Sequence, residues 1–138
     1  NIILYSDIIY FHHEIKNRDE VIKKIKSKNK TPGLVLHAVN EYNDLDKIIG
    51  DFKEVSILSI EKAGLSGQKF DERSYYLIKR INNLKFRKNF NLCVDGGVKS
   101  NLINKFTSEK VVSGSDVLNS SNPTKKIMKL QTVSRYEK

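Results

Sequence analysis

An α/β fold built on a parallel sheet is predicted by two features of this 138-residue sequence. Short, near-continuous apolar runs recur along the chain, and each is followed by a segment whose apolar residues fall at helical spacing. Runs that are apolar throughout, instead of alternating, read as strands covered on both faces, which is the habit of parallel sheets. Alternation of strand and helix points the same way, because each crossover must bring the chain back to the end of the sheet where it started.

The strand-like segments are residues 7–11, 33–38, 55–60, 91–94 and 110–112. Between and after them stand the helical sets: Val21, Ile22 and Ile25; Leu45, Ile48, Ile49 and Phe52; Leu77, Ile78 and Ile81; Leu102, Ile103 and Phe106; Ile127, Met128 and Leu130. Three helix starts carry capping residues. Asn43, with Asp46 three residues on, opens the second helix; Ser100 opens the fourth; and Asn122 precedes Pro123 at the fifth, where the missing proline N–H costs nothing. No linker interrupts the series, so residues 1–131 are expected to form one domain, with a frayed tail at 132–138 where periodicity is lost. Five strand–helix units fit either a doubly wound open sheet or part of a (β/α)₈ barrel. A complete barrel takes ~250 residues, so length alone favours the open sheet.

Composition narrows the function classes. Six Phe, six Tyr and a 38% apolar content can build a core, which argues against wholesale disorder. The lone Cys93 cannot form a disulfide within the chain and fits a reducing, cytoplasmic compartment. Apolar runs of four residues or fewer fall far short of the ~20 that a membrane-spanning helix needs. The net charge of +9 invites a nucleic-acid reading, yet 20 of the 25 basic residues are Lys and only 5 are Arg, beside 15 Ile and 13 Asn. That pattern reflects drift towards AT-rich codons more than selection for phosphate-gripping forks. The densest basic run, residues 23–30, ends a predicted helix, where cations are favoured on dipole grounds alone. Neither nucleic acid nor membrane is expected as a partner.

Glycine-bearing loops follow the last three strands: Gly64-Leu65-Ser66-Gly67-Gln68, Asp95-Gly96-Gly97-Val98 and Gly114-Ser115. In a parallel α/β fold all three lie at the carboxyl ends of strands, where ligands bind. Glycine lets backbone N–H groups approach an anion closely, which makes phosphate the natural guest. The short segment 116–118 suits the extra helical turn found near barrel phosphate sites. Asp95 is the carboxylate placed directly at a strand end beside two glycines. It fits an ordinary Asx turn, an acid/base exchanging a proton with carbon next to a carbonyl, or a metal ligand.

The stretch from Leu58 through Gly64-Leu65-Ser66-Gly67-Gln68-Lys69-Phe70, then Val94-Asp95-Gly96-Gly97-Val98, then Val112-Ser113-Gly114-Ser115, resembles the sixth, seventh and eighth strand ends of the ribulose-phosphate 3-epimerase family. Residues 7–14 and 33–38 resemble its fourth and fifth strands more loosely. The resemblance implies a (β/α)₈ TIM barrel of the ribulose-phosphate-binding type, present here as an incomplete barrel of about five βα units whose first three are absent. It further implies an isomerase that interconverts D-ribulose 5-phosphate and D-xylulose 5-phosphate in the pentose phosphate pathway, by metal-assisted proton transfer at carbon 3. By the same resemblance Asp95 is acid/base and metal ligand, for zinc, iron or manganese. Gly64, Leu65, Ser66, Gly67, Gly96, Gly97, Gly114 and Ser115 hold the phosphorylated pentulose.

Departures from the family pattern are specific. Its other metal ligands, two histidines and a partner aspartate, have no counterpart here; Lys62-Ala63 stand where a proline is usual, Ser66 replaces a glycine, and His37-Ala38 replace an Asn-Pro pair. The alternative expectation is a non-catalytic sugar-phosphate-binding half-barrel that self-associates through an open sheet edge, and a homo-oligomer is expected. His12 and His13, adjacent on a strand, point to opposite sides and are read as packing or loop residues. Cys93 is read as a core thiol.

Overall fold

The computed structural model describes residues 5–65 and 67–136. Five strands, β1 (Ile8–His12), β2 (Thr31–His37), β3 (Glu54–Leu58), β4 (Asn91–Asp95) and β5 (Lys110–Val112), form one sheet. Every pairing is parallel, and the spatial order β1-β2-β3-β4-β5 repeats the chain order. Each predicted strand is present. The doubly wound alternative is not, because such a sheet reverses its strand order at a switch point and this one does not.

Helices α1 (Arg18–Lys26), α2 (Leu45–Ile49) and α3 (Arg73–Asn82) follow β1, β2 and β3 in turn, and α4 (Ser115–Leu118) and α5 (Pro123–Leu130) both follow β5. The first carries Asp19 and Glu20 in its first turn and Lys23, Lys24 and Lys26 in its last, the arrangement its dipole favours. Asn122 caps α5 as expected, its side-chain oxygen accepting from Lys125 N at 2.9 Å. Asn43 does not cap α2: the residue before that helix is Asp44, which makes no capping bond and instead pairs with Lys47 Nζ at 3.3 Å. The expected fourth helix is only a 3₁₀ turn, Ile103–Lys105. Ser100 is spent elsewhere: its N–H donates to Asp116 Oδ2 (2.9 Å) and its hydroxyl oxygen accepts from Lys126 Nζ (3.1 Å). The backbone then closes in i to i+3 steps, Leu102 N on Lys99 O and Lys105 N on Leu102 O.

Alternation along the strands divides the sheet into two faces. Leu34, Leu36, Val55, Ile57, Leu92 and Val94 pack with Ile25, Leu45, Ile49, Leu77, Ile78 and Ile81 of the helices into the apolar core. Tyr10, Val35, Ser56 and Cys93 lie outside that cluster, on the opposite face. At the strand starts this second face is polar: Glu54 accepts from Tyr10 Oη (3.0 Å), Lys110 Nζ (2.7 Å) and Asn91 Nδ2 (2.9 Å). Cys93 is buried there, and burial pushes its thiol up to about 11, the opposite of an activated nucleophile.

Arg87 is fully buried after α3. Its guanidinium grips both oxygens of Glu109 (2.9 and 2.8 Å), donates to Asn82 Oδ1 and Phe90 O, and lies against the rings of Phe90 and Tyr136. The described part of the expected frayed tail is therefore held. Val133 is buried, Ser108 N donates to Ser134 O at 3.0 Å, and Thr107 and Ser134 form a β-bridge. A bridge has no helical periodicity, so the sequence pattern is silent about it.

Candidate active site

A parallel sheet gathers its carboxyl ends along one edge. Here the register aligns His37, Leu58, Asp95 and Val112 in a single row at that edge. The loop after β3 and the loop after β4 then meet over the row. They enclose a cleft of about 340 Å³ lined by Leu58, Ile60, Gly64, Leu65, Gly67, Gln68, Asp95, Gly96 and Gly97. Six predicted site residues are thus brought together: Gly64, Leu65, Gly67, Asp95, Gly96 and Gly97. Ser66 lies outside the described residues.

Two glycines are required by close approach. Gly96 has φ +113°, and a β-carbon there would stand 2.8 Å from Ile60 Cγ2; Gly97 has φ +64°, and a β-carbon would strike the backbone of Lys69 and Phe70. Any larger residue would force the two loops apart. Gln68 laces the β3 loop internally. Its amide donates to Lys62 O (2.6 Å) and Leu65 O (2.7 Å) and its carbonyl accepts from Lys62 N (3.0 Å).

Asp95 is the carboxylate of this cleft. No hydrogen bond or ion pair reaches it among the described residues, and burial pushes its carboxyl above the usual aspartate value. An unpaired, half-buried carboxylate with a raised pKa is suited to exchange a proton. Its main chain, in contrast, is firmly tied: Asp95 O accepts from Ser59 N at 2.7 Å and from Ser59 Oγ at 2.8 Å.

Gly114 and Ser115 do not line the Asp95 cleft. Ser115 borders a separate cavity of about 290 Å³ with Lys99, Asp116, Asn119, Ser120 and Lys126. Burial pushes the Asp116 carboxyl up, but bonds from Ser100 and Lys126 outweigh it and hold the group below its ordinary value. The loop after β4 is tied to the turn after β5, since Ser113 Oγ donates to Val98 O at 2.7 Å.

The histidines take structural roles. His13 packs edge-on against Tyr42 and its Nδ1 accepts from Arg18 (3.2 Å); His12 Nδ1 stands 4.0 Å from Glu14; His37 Nε2 donates to Ile60 O at 2.7 Å. Among the described residues, no group of three or more His, Cys, Asp and Glu could hold a metal ion. One carboxylate among glycines, apolar side chains and a glutamine whose amide is bonded within its own loop does not make a divalent site, so these residues do not fit the metal that the family resemblance implies.

Gln68 and Ser59 escape the sequence reading. Gln68 adjoins the glycine motif, which is a usable signal; Ser59 at a strand end carries none.

No curated protein sequence matches the chain. No helix among the described residues is long and apolar enough to cross a membrane. The model of the ribulose-phosphate 3 epimerase family matches residues 3–118, which takes in all five strands, both glycine loops of the cleft, Asp95 and the Gly114-Ser115 turn, and on that match the chain belongs to the ribulose-phosphate 3-epimerase family.

Proposed function

We propose that the chain forms five consecutive units of a (β/α)₈ barrel that interconverts D-ribulose 5-phosphate and D-xylulose 5-phosphate, a step of the pentose phosphate pathway. The observation that carries this reading is Asp95, an unpaired carboxylate with a raised pKa at the bottom of a glycine-walled cleft. Its ionised form takes the proton from carbon 3. The C–H electron pair becomes the C2–C3 double bond, and the ketone oxygen takes the negative charge. Return of a proton to the opposite face requires a second acid, and the cleft offers no other carboxylate among the described residues. That acid, and any zinc, iron or manganese site, would come from other sequence or from a second chain. No step above runs through a metal.

The sheet supports the barrel reading, because sequential parallel order is how strands run around a barrel. Gly64, Leu65, Ser66, Gly67, Gly96 and Gly97 would hold the sugar, with Gly114 and Ser115 on its phosphate beside Lys99 and Lys126. A cytoplasmic setting suits the free Cys93 thiol. The test is exchange of the carbon-3 proton of D-ribulose 5-phosphate in deuterated buffer, with and without added Zn²⁺. Exchange is expected, with a loss of roughly 10²-fold or more in Asp95→Asn. Exchange indifferent to that substitution would overturn the role of Asp95.

A second reading is favoured by the strand order, which leaves β1 and β5 at the two edges of the sheet. A sugar-phosphate-binding half-barrel would self-associate there as a homo-oligomer. Light scattering during size exclusion distinguishes it: a monomer at high concentration removes this alternative.

A further inference from the structure

Among the described residues the Asp95 carboxylate has no partner to aim it, so its placement depends on its backbone, and a fully buried side chain is bonded to that backbone. Ser59 is 0% exposed and directly follows β3. Its hydroxyl stands 2.8 Å from Asp95 O and 2.7 Å from Gly96 O, sharing one proton between two successive carbonyls, while its own N–H donates to Asp95 O at 2.7 Å. Its carbonyl accepts from Asp71 N at 2.9 Å, tying the same point to the segment before α3.

We propose that Ser59 is the positioning residue of Asp95: its hydroxyl fixes the Asp95–Gly96 backbone and thereby the place where the carboxylate meets the substrate carbon. The inference rests on the proton-transfer reading of Asp95. Three observations make the hydroxyl the controlling group. Gly96, at φ +113°, has a backbone freedom that other residues lack, so this peptide has most to lose when a restraint goes. Ile60 and Phe70 crowd the β4 loop on the side of the β3 loop, and the Ser59 hydroxyl is the side-chain group bonded directly to the Asp95 and Gly96 carbonyls. And in Ser59→Ala the Ser59 N–H still serves Asp95 O, whereas Gly96 O loses the partner that the serine hydroxyl supplies.

The test compares the chain with Ser59→Ala and Ser59→Thr, reading kcat and KM for carbon-3 exchange together with the ¹³C shifts of the Asp95 carboxylate and the Gly96 carbonyl at one pH. In Ser59→Ala kcat is expected to fall on the order of ten- to a hundredfold with KM little changed, since a small misplacement of a reacting group is costly. Both ¹³C signals should move, and Ser59→Thr, which keeps the hydroxyl, should restore rate and shifts. A folded Ser59→Ala chain with unchanged kcat, or with only KM raised, overturns the proposal. Should Ser59→Ala fail to fold, Ser59→Cys, which keeps the shape and only a weak donor, is read in its place. Absence of exchange in the unsubstituted chain overturns the proton-transfer reading instead. The ¹³C shifts then decide the positioning role alone: unmoved in Ser59→Ala they overturn it, and moved then restored by Ser59→Thr they sustain it.

Discussion

Tyr10 Oη donates to Glu54 Oε2 at 3.0 Å across an intervening strand. The two residues share a register row with Gly33 between them, on β1, β2 and β3. The contact is open only because Gly33 has no side chain: a β-carbon there would overlap the Tyr10 ring. Gly33→Ala should therefore expel the ring and destabilise the chain by about 1–3 kcal/mol. Tyr10→Phe, which loses only the hydroxyl, should cost about 1 kcal/mol, since Lys110 and Asn91 still serve Glu54. Urea titration with an unchanged slope checks both. Equal tolerance of Gly33→Ala and Tyr10→Phe would contradict the packing argument.

Glu54 ties stability to pH. Burial pushes its carboxyl up, but the bonds from Lys110, Asn91 and Tyr10 outweigh burial and hold it below the usual glutamate value. A carboxylate depressed in the folded state stabilises above its unfolded pKa of ~4.3, and that contribution is lost as pH falls through the folded value. Glu54→Gln should cost about 1–2 kcal/mol at neutral pH. The gap to the unsubstituted chain should close in acid, below about pH 4. Melting temperatures along a pH series report it, and a gap that widens in acid would reverse the assignment.

Removing Arg87 leaves Glu109, largely shielded from water, without its cation, and leaves Asn82 and Phe90 O without their donor. Arg87→Ala should destabilise by about 3–5 kcal/mol. Arg87→Lys should recover less than half of that, because an ammonium cannot grip both Glu109 oxygens while also reaching Asn82 and Phe90 O. Full rescue by lysine in a denaturant titration would show that charge alone matters here.

Asp95 pulls stability and chemistry in opposite directions. Burial raises its carboxyl in the folded chain, so the ionised form is penalised above that value and the penalty fades as pH falls through it. Asp95→Asn should melt higher than the unsubstituted chain at neutral pH, with the advantage shrinking in acid, while carbon-3 exchange is lost. A variant less stable at neutral pH would mean that the carboxylate has a partner.

Ser74 offers a control for the hydroxyl deletion at Ser59. It is fully buried in α3 and, among the described residues, is the buried side-chain oxygen without a hydrogen-bond partner. Ser74→Ala should gain up to about 1 kcal/mol, from the lost desolvation cost and better helix propensity. A drop in melting temperature would count against it.

How far the sequence reveals all this depends on the range of the forces involved. The strands are legible because runs such as Leu34-Val35-Leu36 and Leu92-Cys93-Val94 need both faces covered, a property of adjacent residues. Asp95 and its flanking glycines are legible because turn chemistry is local. The helix expected at Leu102 is not, because Asp116 and Lys126 claim Ser100 from 16 and 26 residues away. Ser59 stays hidden for the same reason, its partners lying 36 and 37 residues downstream. The separation of Gly114-Ser115 from the Asp95 cleft is a matter of where two loops settle, and a motif does not encode that.

The Arg87 cage also has a temporal side. Glu109 and Tyr136 leave the ribosome well after Arg87 does, so during synthesis this guanidinium is without its carboxylate, and later without its outer ring. The cage is complete only once the segment carrying Tyr136 has been made. A chain ended before Glu109 would thus lack the carboxylate for this guanidinium, along with β5 and the segment that bridges Thr107.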